Sequence, residues 1–289
     1  MTVLSPSSDA LATKGRLAAG VAIVLSAIAV LMTVGFMALN ATNPIRYVVP
    51  GILVGVPNRA VMVAILAASC AILAMTLRSG HDGLAIALPV AVGVGLLAGI
   101  VHAAIIVVLT GAVPVAVAQF IISLVCASLG ALVTLVRPMR AAVAVVLSAA
   151  VVVLVSELFG VATSFLAAMM VMNEVAVPHA TQLILGLSMA VGGLATVFAV
   201  AGSVWALVKS GAAVGREARA GLLTGVGFGA LQVVPGVIAL VAVFVPVDGE
   251  TAGSLFPIAS ETAIVGIVCL VVAVIVGPLT ALVASGGSS

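Results

Sequence analysis

The run Arg140–Met172, RAAVAVVLSAAVVVLVSELFGVATSFLAAMMVM, is apolar almost from end to end and holds a single carboxylate, Glu157. About 20 consecutive apolar residues are enough for a helix to cross a bilayer, so the run reads as a membrane span. A carboxylate inside a span is costly to desolvate and marks a functional position by default. The run also echoes an earlier one. Val143–Ala149 (VAVVLSA) repeats Val21–Ala27 (VAIVLSA), and each follows a basic side chain by a few positions. The residues after Arg140 therefore read as the start of a second half.

The composition places the whole chain in the same solvent. Of 289 residues, 64% are hydrophobic and 6% are charged, where soluble domains carry roughly 25% charged residues. The mean hydropathy is +1.49. The expected fold class is all-α, a polytopic transmembrane helical bundle. A net charge of +2 gives no footprint for nucleic acid. Cys70, Cys126 and Cys269 all fall inside apolar runs, and three thiols so placed make neither a disulfide framework nor a CxxC metal site. They read as small packing residues.

Residues 1–13 (MTVLSPSSDALAT) are short and Ser-rich and read as a disordered cytoplasmic tail. Lys14 and Arg16 then introduce a run from about 17 to 39, too long for a signal-peptide core of about 7–15 residues. Further spans are expected near 59–77, 84–109, 115–136, 141–166, 182–208, 221–246 and 262–284, with 161–177 open to a re-entrant or interfacial reading. Charge tests this set of eight. With the N-terminus inside, Lys14, Arg16, Arg78, Arg137, Arg140, Lys209, Arg216 and Arg219 fall on the cytoplasmic side, and only Arg46 and Arg59 fall outside. Such a bias over short loops is the positive-inside pattern. It predicts a multi-pass protein of the cell (inner) membrane with both termini cytoplasmic. Trp205 and Tyr47 sit where interfacial aromatics belong.

Rarer landmarks extend the echo. Val56-Pro57-Asn58 matches Val177-Pro178-His179, Arg78-Ser79-Gly80 matches Lys209-Ser210-Gly211, Val113-Pro114-Val115 matches Val245-Pro246-Val247, and Val125-Cys126 matches Val268-Cys269. The expected organisation is a parallel repeat of two four-helix halves, 14–137 and 138–289. Its weak point is a drift in the offset, about ten residues of which must fall inside the sixth span near Gly192-Gly193. The segment Asn43–Pro57 (NPIRYVVPGILVGVP) carries three prolines and two glycines yet stays apolar. It is expected to lie on the outer interface or to cap the bundle.

Few polar side chains enter the spans. At ~1.5 Å per residue, Glu157, His102 and Gln119 all fall in the outer half of a ~30 Å core. Gln232 falls near the midplane of its span, and Gln182 and Glu261 open spans six and eight. Glu157 and His102 are the candidate proton- or cation-coupled groups, with Gln119 and Gln232 as hydrogen-bonding partners. The structural alternatives stand beside this. His102 could bond a backbone carbonyl across a helix interface, Glu157 could reach the headgroups, and the glutamines could be interhelical glue.

GxxxG patterns at Gly95–Gly99 and Gly221–Gly225 permit close helix contact. Pro89 and Pro235 in the same spans suggest broken helices lining a pathway. Met169, Met170, Met172, Glu174 and His179 include ligand types that suit copper, but their spacing matches no motif, and interface packing is the default. The chain has no P-loop, HExxH or GxSxG, and no cytoplasmic connection is long enough for a nucleotide-binding domain.

These readings point to a transporter or permease without its own ATPase, with a polar site in the outer half of the bundle. The competing readings are a non-catalytic subunit of a larger membrane complex and an intramembrane enzyme acting on a lipid-linked substrate. No cofactor is implied. The expected partners are the lipid bilayer and, beyond it, a second copy or other membrane subunits.

Overall fold

The computed structural model describes residues 8–41, 56–77, 83–111, 113–136, 138–172, 177–243 and 249–286. Among them every regular element is helical. The helices are α1 (Ser8–Ala41), α2 (Val56–Leu77), α3 (Gly83–Thr110), α4 (Val113–Ala131), α5 (Met139–Met172), α6 (Val177–Lys209), α7 (Glu217–Val243) and α8 (Gly249–Gly286). A 3-10 turn, Leu132–Leu135, closes α4. Six of these, α2 to α5 together with α7 and α8, contain segments long and apolar enough to cross a membrane; α1 and α6 contribute shorter apolar segments, 15–29 and 193–209. Large apolar side chains such as Leu97, Val108, Phe198 and Leu282 are exposed around the bundle. Apolar surface on this scale is stable against lipid rather than water. The fold is that of a multi-pass helical membrane protein.

α2 lies at the centre, in contact with α1, α3, α4, α5 and α7. The main core joins α1, α2 and α5 through small and β-branched residues, among them Ala22, Ala68, Ala149 and Val153. Small side chains let helix backbones approach, which is how helices associate where lipid removes the hydrophobic driving force. The chain order repeats in the packing. α1 packs on α2, α2 on α3 and α4, and α3 on α4; then α5 packs on α6, α6 on α7 and α8, and α7 on α8. Each group is also tied at one end in a similar way. Arg16 Nη2 donates to the Thr76 carbonyl at 3.2 Å, joining the start of α1 to the end of α2. Arg140 Nη2 donates to the Ser210 carbonyl at 3.0 Å, joining the start of α5 to the turn after α6. Lys209 Nζ lies 5.4 Å from the Trp205 ring centroid, a cation–π contact at that same end.

The glycine signals acquire a definite role. Along α7 and α8 a Cβ added at Gly221, Gly225 or Gly277 would overlap backbone carbonyls of the facing helix, and one at Gly266 would come within 2.8 Å of the Gln232 carbonyl oxygen. On α3, a Cβ at Gly95 would lie 2.8 Å from the Ala127 Cβ, and one at Gly99 would lie 2.8 Å from the Phe120 ring. Both GxxxG patterns are therefore contact faces, toward α4 and toward α8.

Several expectations are corrected. α1 begins at Ser8, so helix takes in the second part of the segment expected to be a disordered tail; Ser8 and Asp9 are favourable residues for a helix N-terminus. α5 continues unbroken to Met172, which removes the re-entrant reading of 161–172. α3 and α7 run through Pro89 and Pro235 as continuous helices rather than broken ones. α6 is likewise continuous across Gly192-Gly193, and at 33 residues it is longer than the 22-residue α2. Of the segment Asn43–Pro57, Val56 and Pro57 open α2 and the rest lies outside the described residues. The side chains of the Met169–His179 cluster and of Gln182 also lie outside them.

Candidate functional site

Arg59 is the fourth residue of α2, and its side chain is 3% exposed. The span expected at 59–77 counts Arg59 on the outer side; the helix begins at Val56 and buries it. Pro57 suits the first turn of a helix, so the helix starts before the arginine and carries it into the bundle. A guanidinium has five N–H donors and no acceptor, so burial requires acceptors or counter-charge around it.

Those neighbours come from three other helices. Arg59 Nε donates to Gln119 Oε1 of α4 at 3.4 Å, a long hydrogen bond. Gln119 Nε2 donates in turn to Ser123 Oγ at 3.5 Å, and Ser123 Oγ donates to the Gln119 backbone carbonyl at 2.9 Å. The chain of donors runs one way, which fixes the Gln119 amide with its oxygen toward the guanidinium. Glu157 of α5 stands within electrostatic reach of Arg59 and supplies the opposite charge. His102 of α3 also lies within electrostatic reach of Arg59.

His102 is the anomaly. It is 1% exposed, and among the described residues neither Nδ1 nor Nε2 has a hydrogen-bond partner. The backbone-carbonyl bond that would make it a satisfied core histidine is not present there. Buried polar atoms are nearly always paired, so an orphaned imidazole needs an explanation.

Of the four residues singled out in the sequence, three gather at Arg59: His102, Gln119 and Glu157. Gln232 lines a small cavity with Val61, Val152, Val153, Ala195, Thr196, Ala199 and Phe228, between α2, α5, α6 and α7. The space open to water centres there is about 10 Å³, enough for roughly one water molecule. Val61 and Val153 lie close in sequence to Arg59 and Glu157, so the cavity borders the same helices as the charged cluster. Glu261 is exposed on α8. The residue that sequence reasoning missed is Arg59. The signal that could have found it is Val56-Pro57 as a helix start, which places the arginine in the first turn of the span.

The cluster thus joins a guanidinium, a carboxylate, an amide, a hydroxyl and an unsatisfied imidazole from four helices in an apolar bundle. Such a centre can hold a small polar solute or exchange a proton. The fold and the cluster define a class, a multi-pass helical membrane protein with a buried charged centre. Comparisons with protein-family models, with curated proteins and with solved structures each return no match.

Proposed function

We propose that this protein is a small transporter or permease of the cell membrane, working without an ATPase of its own, with the Arg59 cluster as its solute site. One observation supports it above the others: His102 is fully enclosed within electrostatic reach of the buried Arg59 and makes no hydrogen bond among the described residues. A structural cluster gains nothing from leaving an imidazole unsatisfied, whereas a solute site needs capacity that the solute completes.

In this reading the chain crosses the membrane eight times, in two parallel four-helix halves, with both termini cytoplasmic. The recurring packing order and the paired Arg16 and Arg140 ties support the two halves. With Arg59 inside the bundle, Arg46 remains as the single basic residue assigned to an outer connection, which sharpens the charge asymmetry. Thiol labelling tests the orientation once the three native cysteines are replaced by alanine. In intact cells a membrane-impermeant reagent is expected to label Val113→Cys, at the start of α4, and to leave Val214→Cys, between α6 and α7, unlabelled until the cells are opened. Labelling of Val214→Cys from outside would reverse the orientation.

The transport reading is tested by purifying the protein alone, reconstituting it in liposomes and following solute entry by stopped-flow light scattering under an imposed pH gradient. Protein-dependent entry of at least one class of small solute is the expected result. No flux, together with a stoichiometric partner that co-purifies, would replace the transporter with the subunit reading.

A further inference from the structure

We propose that the Arg59–His102 cluster binds a small monovalent anion together with one proton, and that the proton resides on the His102 ring; this names the substrate class of the transporter reading and rests on it. Three observations lead here. First, the cluster is rich in donors. Arg59 brings a guanidinium, Gln119 is oriented with its amide nitrogen turned to Ser123, and protonated His102 would offer two N–H groups. Glu157 is the one carboxylate among these groups, and it is already opposed by Arg59.

Second, charge balance dictates what must accompany an anion. Arg59 and Glu157 cancel. An added anion leaves one uncompensated negative charge in an apolar interior, which is prohibitively costly. A proton taken up on the ring restores neutrality and turns both imidazole nitrogens into donors, one of which faces the anion. No covalent bond forms or breaks; one proton enters with one anion and leaves with it. Third, His102 is the group that can take this proton. The helices packed on α3 are α2 and α4. Besides Arg59, their described ionisable groups are the thiols of Cys70 and Cys126, and α3 itself carries only His102. The enclosure of the ring at 1% exposure leaves no open mouth for a bulky solute, so the probes are small anions.

The test is anion binding to purified protein in detergent, read as a melting-temperature rise with chloride, nitrate and acetate as probes and gluconate as the bulky control. Wild type should show a saturable rise with at least one small anion and none with gluconate. Its apparent affinity should fall as pH rises, by up to about tenfold per pH unit, because each bound anion needs one proton. His102→Phe, which fills the space but carries no proton, should fold and lose the rise. Glu157→Gln should keep an anion-dependent rise without pH dependence, because Arg59 alone then balances the anion.

No small-anion rise in wild type, or an equal rise in His102→Phe, overturns the proposal. Liposome flux separates the two readings. Entry of cations or neutral solutes with no anion-dependent rise sinks the anion site and leaves the transporter standing. An anion-dependent rise with no flux supports the site and sinks the transporter.

Discussion

Glu157→Leu is expected to lower the melting temperature clearly, because it strips a counter-charge from within reach of an arginine that is 3% exposed. Glu157→Gln removes the same charge but keeps a polar side chain of the same shape, so it should cost less than Glu157→Leu. The decisive comparison is the double variant Arg59→Met/Glu157→Leu. Replacing a whole buried ion pair by apolar residues of similar volume is often neutral or stabilising, whereas removing one partner is not. The double variant should therefore melt well above Glu157→Leu and close to wild type. Costs that add, or a double variant worse than either single one, would mean that the two side chains do not act as a pair.

The second large effect lies in the α7–α8 seam. An alanine at Gly277 would drive its Cβ into the Gly221 carbonyl, and an alanine at Gly221 would meet the Gly277 carbonyl in return. Neither neighbour is the end of a flexible side chain, so the two helices must separate. Overpacking of this kind costs typically about 1–3 kcal/mol, and contact between two backbones belongs at the upper end of that range. Gly227 on the same helix supplies the control, because a Cβ there meets nothing within 4 Å. Gly227→Ala should match or slightly exceed wild type, given the helix preference for alanine. The measurement is the detergent melting temperature of the three single variants. Equal losses at Gly227 and Gly277 would refute a specific seam.

Much of the fold was legible because lipid imposes long apolar runs and short connections. Helices cover each stretch expected as a span, six of them with segments long and apolar enough to cross a membrane, and the GxxxG faces are where backbones meet. Helix ends were less legible. A proline just inside a helix start, as at Pro57, looks like a loop residue, which is why the expected span starts only at Arg59 and counts it on the outer side. The prolines at 89 and 235 misled in the other direction. A proline removes one hydrogen bond, and neighbouring helices can absorb that loss without a break.

The candidate site was readable in part. Depth along each helix grouped His102, Gln119 and Glu157, since helical rise is fixed. Rotation about each helix axis is not fixed by depth. Which residues face one another depends on packing, and Gln232 turns out to line a small cavity between α2, α5, α6 and α7. The central member of the cluster was the one residue whose charge had been explained away.

The most direct measurement is solute flux through liposomes holding wild type or Glu157→Gln, followed across a pH series from acidic to neutral. Melting temperatures are taken alongside so that folding and activity are read separately. The account predicts pH-dependent flux in wild type and flux without pH dependence in a folded Glu157→Gln protein. A Glu157→Gln protein that matches wild type in both melting and pH profile would contradict it, and would leave the Arg59 cluster as packing alone.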